Sequence, residues 1–224
     1  TTKDQSKLYF GTSDGTSLDP NAVVLNDDGD VLSWKLRKVI DKWGNYVVYD
    51  YHEYQASTGE DVLDGARQTV LKSIKYTGFQ GAGSTIDPPY IIDFHYSSNA
   101  RPDARVFYNS GAKRGTFKSL ERISVNYDPD ISISGDEQEI RSYHFLQGEG
   151  DFGKTVLNKI QEKVNGQLFY EFDLDYFSNP VFSFSDDVIE LPSPWSDKRH
   201  EYSMLGASDN SGYSIGGLGG GGLA

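Results

Sequence analysis

The segment Leu157 to Tyr176, LNKIQEKVNGQLFYEFDLDY, restricts the fold of this chain more than any other stretch. Its second half alternates without a break. Leu168, Tyr170, Phe172, Leu174 and Tyr176 fall on one face, and Phe169, Glu171, Asp173 and Asp175 on the other. Successive side chains of a strand point to opposite faces, so this period of two predicts a strand with one face covered. Asn165-Gly166 supplies two residues that tolerate positive φ, as a tight type I′ turn requires. Residues 157–176 therefore read as a β-hairpin.

The hairpin opens with Leu157-x-x-Ile160, and the same tetrad occurs upstream as Leu36-x-x-Val39, Leu71-x-x-Ile74 and Leu120-x-x-Ile123. Each opener is followed by a second arm that closes on aromatic residues: 45–54 (NYVVYDYHEY), 89–96 (PYIIDFHY), 139–146 (EIRSYHFL) and 167–176 (QLFYEFDLDY). The connections at Trp43-Gly44-Asn45 and Asn165-Gly166 are tight, whereas 78–89 and 128–136 are long. Separations of 35, 49 and 37 residues between successive opening leucines differ through these loops. A recurrence on this scale predicts an array of like supersecondary units. Lone two-stranded hairpins are marginal in water, so the units must bury their faces against one another or a larger body. Residues three apart lie on opposite faces of a regular strand. The openers either are covered on both sides or carry a bulge.

With 13% aromatic residues, including 15 Tyr and 12 Phe, the chain favours pleated, half-buried surfaces. It has no Cys, which excludes a disulfide scaffold and a thiolate metal site. The formal charge is −12 and no run of Lys or Arg exists, so nucleic acid is not an expected partner. No apolar stretch approaches the roughly 20 residues of a membrane helix, and direct membrane insertion is not expected. Residues 1–10 do not resemble a signal peptide. A polar start and a Gly-rich end suggest a piece of a longer polypeptide.

Four regions follow. Residues 1–30 are turn-rich, with a short apolar run at Leu8-Tyr9-Phe10, a possible strand at Ala22–Leu25, and the acidic cluster Asn26-Asp27-Asp28-Gly29-Asp30. That cluster faintly resembles a calcium loop, but its spacing lacks the closing Glu, and a solvated turn is the expectation. Residues 31–177 hold the hairpin repeats. Within them, 61–71 alone has a loose helical period. Residues 178–205 carry short strand candidates at 181–184 and 188–191, then the rigid Pro192-Ser193-Pro194-Trp195. Residues 206–224 are a Gly/Ser-rich tail or linker.

LSWKLRKVIDKWGNYVVYDY resembles the "W-x-L-x-x-I-x-D-x-x-G-N-x-x-x-Y-x-Y" block of the SpvB-type virulence protein family, which includes the B components of ABC-type insecticidal toxin complexes. LKSIKYTG resembles the family's next strand opener, FHYSSNARPD is similar to its "F-x-Y-x-x-R-P-D" segment through Arg101, Pro102 and Asp103, and LERI, EIRSYHF and LNKIQE follow in the family's order. The hairpins also resemble the YD repeats of Rhs proteins. The resemblance runs from about Gly11 to Tyr176. It implies an all-β fold of antiparallel hairpins forming part of a large curved sheet or shell. It also implies a non-enzymatic scaffold within a secreted or cell-surface toxin, encapsulating and delivering a cargo. The implied partners are the remaining B- and C-type shell and the pore-forming A-type component. A cell-surface YD-repeat adhesin or carbohydrate-binding module is the alternative.

The candidate chemical groups each have a plainer use. His95 and His144 sit in aromatic brackets, His52 follows Tyr51, and the corresponding outer positions hold Asp50 and Asp175. Equivalent second arms in an up-and-down sheet lie two strand spacings apart, roughly 9–10 Å, too far to share one metal ion. A polar, solvated or lumen-facing row is expected. The Ser residues have no nucleophile-elbow context, Asp136, Glu137 and Glu139 crowd one loop, and no helix follows Gly81-Ala82-Gly83 to cradle a phosphate. The Tyr-rich face is expected to pack, although stacked sugars would also suit it. No catalytic, cofactor-binding or metal-ligating residue is assigned, and no cofactor is expected.

Overall fold

The structure is a computed structural model and describes residues 1–56, 63–81, 83–109, 111–130 and 136–176. The chain divides into two units, Thr1–Asn179 and Pro180–Ala224. The strand candidates at 181–184 and 188–191, the Pro192–Trp195 linker and the 206–224 tail lie outside the described residues.

Strands β1 (Lys7–Phe10), β2 (Val23–Leu25), β3 (Val31–Trp34), β4 (Leu36–Ile40) and β5 (Asn45–Gln55) come first. Next are the 15-residue β6 (Arg67–Gly81), β7 (Ser84–Ile86), β8 (Tyr90–Tyr96), β9 (Arg105–Asn109) and β10 (Ala112–Thr116). The last are β11 (Leu120–Tyr127), β12 (Gln138–Glu149), β13 (Thr155–Val164) and β14 (Gln167–Asp173). The described fold is all-β, as expected. β2 and β3 form a small separate sheet, and the other twelve strands form one large sheet.

In that sheet β4, β5, β6, β8, β11, β12, β13 and β14 are successive antiparallel neighbours, and β1 lies on the outer side of β4. All four expected hairpins form, and each pairs with the next in the sheet. The tight turns work as their sequences dictate. Gly44 adopts φ +97, and the Asp41 carboxylate accepts from the Trp43 and Asn45 N–H groups, each at 2.9 Å. At the last turn Asn165 and Gly166 both have positive φ, +49 and +77, as a type I′ turn demands.

The tetrads resolve into bulges. Tyr9 faces Lys38 and Phe10 faces Leu36, which leaves Arg37 as an extra residue on β4. In the same way Lys72 is extra on β6 and Glu121 on β11. Asn158 is the extra residue on β13. The bulge thus falls immediately after the opening Leu in every unit. Two residues opposing one removes a step from the alternation, so Leu and Ile/Val, three apart, share a face. Leu71 and Ile74 accordingly oppose Tyr51 and Tyr49, and Leu120 and Ile123 oppose Tyr96 and Phe94.

Two decorations come from the long connections. β6 overruns its hairpin and folds back through β7. The β9–β10 hairpin, which sequence periodicity did not single out, pairs with β6 through Arg114 opposite Arg67, in parallel. Beneath it Ala56, Leu63, Ala66 and Phe117 form a buried cluster, with Tyr54, Ala104 and Val106 against it. Arg114 anchors the hairpin, donating to Glu53 at 2.8 Å and to the Thr69 hydroxyl at 2.6 Å. The loose helical period over 61–71 is not realised where the chain is described: Leu63 enters the cluster and β6 begins at Arg67. Burial of Leu63 and Ala66 beneath a hairpin outweighs a weak helical propensity.

Candidate functional site

The two faces of the meander carry different chemistry. One holds the bulges. The Tyr51 hydroxyl donates to the Leu36 carbonyl at 2.9 Å, Tyr96 to Leu71 at 2.9 Å and Tyr176 to Leu157 at 2.9 Å. In the third unit the Gln147 amide takes the same place, donating to the Leu120 carbonyl at 2.7 Å. A bulge interrupts the ladder, and a side-chain donor satisfies the carbonyl beside it. The donors also face forward: Tyr51 opposes Leu71, Tyr96 opposes Leu120 and Gln147 opposes Leu157 on the following strand. The result is a spine running across the sheet, in which Tyr51, Tyr96 and Gln147 each bond the opener behind and face the opener ahead. Further along this face Tyr76, Tyr90 and Tyr127 stack across three strands, with ring centroids 5.4 and 5.2 Å apart. The Tyr-rich face is used for packing here.

The opposite face is polar. Asp50, Ser73, Asp93, Ser124, Ser142 and Lys163 make one cross-strand row. His95, Arg122, His144, Gln161 and Glu171 make the adjacent one. Hydrogen bonds link them: Asn126 donates to Asp93 at 2.8 Å, Ser73 to Asp50 at 3.0 Å, and Gln161 to Glu171 at 2.6 Å. Arg37 Nη1 pairs with Asp50 at 2.7 Å and Arg122 with Glu139 at 2.5 Å. His95 and His144 occupy equivalent places on β8 and β12 with β11 between them, which is the polar row expected from the brackets. His52 instead stacks edge-on with Tyr54 at 4.5 Å, Asp50 is held by Arg37 and Ser73, and Asp175 is exposed. These positions do not converge. No group of three His or acidic residues among the described residues could hold a metal ion.

Two Ser–His pairs do form, Ser124 with His95 at 3.0 Å and Ser142 with His144 at 3.1 Å. Both serines are 0% exposed, which leaves no approach to a hydroxyl nucleophile. Burial, followed by the charges of Lys163 and Arg122, lowers the His144 pKa from its ordinary value. These are internal hydrogen bonds that satisfy buried hydroxyls.

The remaining candidates have structural partners. In the acidic cluster Asp27 pairs with Arg67 at 2.5 Å, and Asp30 is bonded to Asn26 through its N–H at 2.7 Å. Glu139 is engaged by Arg122, while burial and the neighbouring Asp128 push the Asp136 carboxyl up. Gly81 and Gly83 flank the turn between β6 and β7. An open cleft of about 650 Å³ lies among Ser97, Asn99, Arg101, Glu121, His144 and Gln147. At its wall Arg101 clasps Asp103 at 2.7 and 3.2 Å, and Thr155 donates to Asp103 at 2.6 Å. The Arg101 bond, then Thr155, hold that carboxyl well below the usual range. The Arg101-Pro102-Asp103 segment is thus a latch fastening the loop after β8 to β13. Trp43 is exposed at a turn tip, with the Lys42 ammonium 4.4 Å from its ring centroid. Trp195 lies outside the described residues.

No family model matches this chain, and no curated protein sequence does. Solved structures do. A Photorhabdus luminescens Tc holotoxin pore matches 77% of this chain and 10% of its own, with a TM-score of 0.58 at 15% identity. A crystal structure of TcdB2-TccC3-TEV covers the same shares, with a TM-score of 0.60 at 14% identity. The N-terminal domain of effector protein SpvB from Salmonella typhimurium strain LT2 matches 78% of this chain and 59% of its own, with a TM-score of 0.55 at 12% identity. The class defined by this meander is therefore the fold shared by SpvB and the Tc toxins, which the ordered sequence blocks led us to expect. The chain spans about a tenth of the Tc chains it matches and under two thirds of the SpvB domain.

Proposed function

We propose that this chain is a non-enzymatic wall segment of a toxin-complex B-type component that works outside the cell, enclosing a toxic cargo for delivery. The observation that carries the reading is the continuity of the meander. Four hairpins join through one repeated bulge geometry, and among the described residues nothing pairs with the outer edge of β14. Such a sheet is built to extend, which suits a wall. Its partners in this reading are the remaining B- and C-type shell and the pore-forming A-type component. The test uses the complete polypeptide that carries this segment, with and without residues 31–177, co-expressed with cargo and challenged with protease. The cargo is expected to survive only within the intact protein. Equal protection after the deletion would sink the proposal.

Exposed Trp43 favours a second reading, a surface adhesin or carbohydrate-binding module. Glycan-array binding that is lost in Trp43→Ala with the fold intact would promote it. Silence across a broad array would remove it.

A further inference from the structure

Among the described residues the spine does not close at its C-terminal end. Tyr176 donates to Leu157 as Tyr51 does to Leu36 and Tyr96 to Leu71. Yet the position opposite Tyr176, filled for the others by Leu71 and Leu120, has no occupant among the described residues. The edge beside it is apolar and exposed at Leu168, Tyr170 and Phe172, with Tyr176 itself 55% exposed. The N-terminal end differs. There β1 already covers β4, and Phe10, in the donor's place opposite Leu36, has no hydroxyl to pass on. The sheet therefore has a direction, and its acceptor end is β14.

We propose that the β14 edge receives an antiparallel strand carrying the Leu-x-x-Ile/Val tetrad from polypeptide outside residues 1–224, with its Leu opposite Tyr176 and its Ile or Val opposite Leu174. The register follows from the internal junctions. The residue two before each donor, Tyr49, Phe94 or Phe145, opposes Ile74, Ile123 or Ile160. The incoming strand carries one extra residue immediately after its Leu, and apolar residues at alternate places beyond the Ile face Phe172 and Tyr170. Val125 and Tyr127 do the same for Ile92 and Tyr90. Residues 177–224 contain no Leu-x-x-Ile/Val tetrad, so the pattern is supplied from outside them. A second copy of this chain does not supply it, because its four tetrads lie on β4, β6, β11 and β13, each flanked by a neighbour on both sides.

The proposal rests on the wall reading and names the partner at its growing edge. Its probe is a synthetic peptide with the β11 sequence Lys118–Tyr127, compared with the same peptide lacking Glu121. Removing that residue reverses the faces of everything on one side of it. Titrated against the full chain, the intact peptide is expected to bind at least about ten-fold more tightly than the shortened one. The chain has no Cys, so register can be read by crosslinking. Leu174→Cys protein should form a disulfide with the Ile123→Cys peptide and not with the Arg122→Cys peptide. Equal binding of the two peptides, binding of neither, or crosslinking without preference overturns the proposal. Each of these outcomes leaves the cargo-protection test of the wall reading unaffected.

Discussion

The second hairpin and the fourth open with the same tetrad and carry the same bulge, yet their surroundings are opposite. β6 is flanked by β5 and β8, and its long connections return as β7 and the β9–β10 hairpin, which roofs Ala66 and Phe117. Among the described residues β14 is the last strand of the sheet, with Leu168, Phe169, Tyr170 and Phe172 exposed. One unit supplies its own cover from its loops; the other has none among the described residues. The difference teaches that the repeat specifies register and not burial. Burial comes from whatever the connections, or a neighbour, lay over it.

Deletion of a bulge residue should break the comparison most sharply. Without Lys72 the tetrad on β6 loses its phase and one side of a central strand turns its faces over, so the cooperative unfolding transition should vanish. Without Asn158 only β13 and β14 should fray, because they form the edge. Far-UV circular dichroism with amide hydrogen exchange separates the two outcomes, and loss of the whole sheet in both would show that the edge hairpin is no less integral. Next comes burial. Phe117→Ala, at a residue 2% exposed, should cost about 3–5 kcal/mol, while Phe169→Ala, at 71%, should stay within about 0.5 kcal/mol in urea denaturation.

The tight turns offer a third contrast. A Cβ on Gly44 would strike the Gln80 carbonyl at positive φ, whereas one on Gly166 meets nothing within 4 Å. Gly44→Ala should cost about 3 kcal/mol and Gly166→Ala about 1 kcal/mol, read from chemical-denaturation midpoints. The smallest effect concerns acidity. His144 has its folded pKa below the ordinary 6.5, so the fold favours the neutral ring. Its contribution is fully present above that value and is lost as pH falls through the lower folded pKa. His144→Gln should flatten the part of the stability loss that this ring causes as pH falls through and below 6.5. An unchanged slope of urea midpoints would remove His144 from the account.

Much of the fold was legible because strand alternation and turn chemistry are local. The period of two in 167–176, positive φ at Asn165-Gly166, and the recurring tetrad named the hairpins and their order. The tetrad also limited the openers to two arrangements, cover on both faces or a bulge. The spine was not legible. Its donors stand 15, 25, 27 and 19 residues from the carbonyls they bind, because loops of unequal length intervene. One donor is a Gln where the others are Tyr. β9–β10 escaped notice because its arms, RVFYN and AKRGT, carry no alternation of apolar and polar residues.

The sequence by itself determined the unit: an antiparallel hairpin with one apolar face and one polar row. Those properties follow from backbone geometry and side-chain period within a few residues. Tertiary structure alone decided which of the two arrangements the tetrads take, how each unit is tied to the next, and which strands stand at the edges of the sheet among the described residues. A bulge is defined only by the strand it faces, and an edge only by the neighbour it lacks.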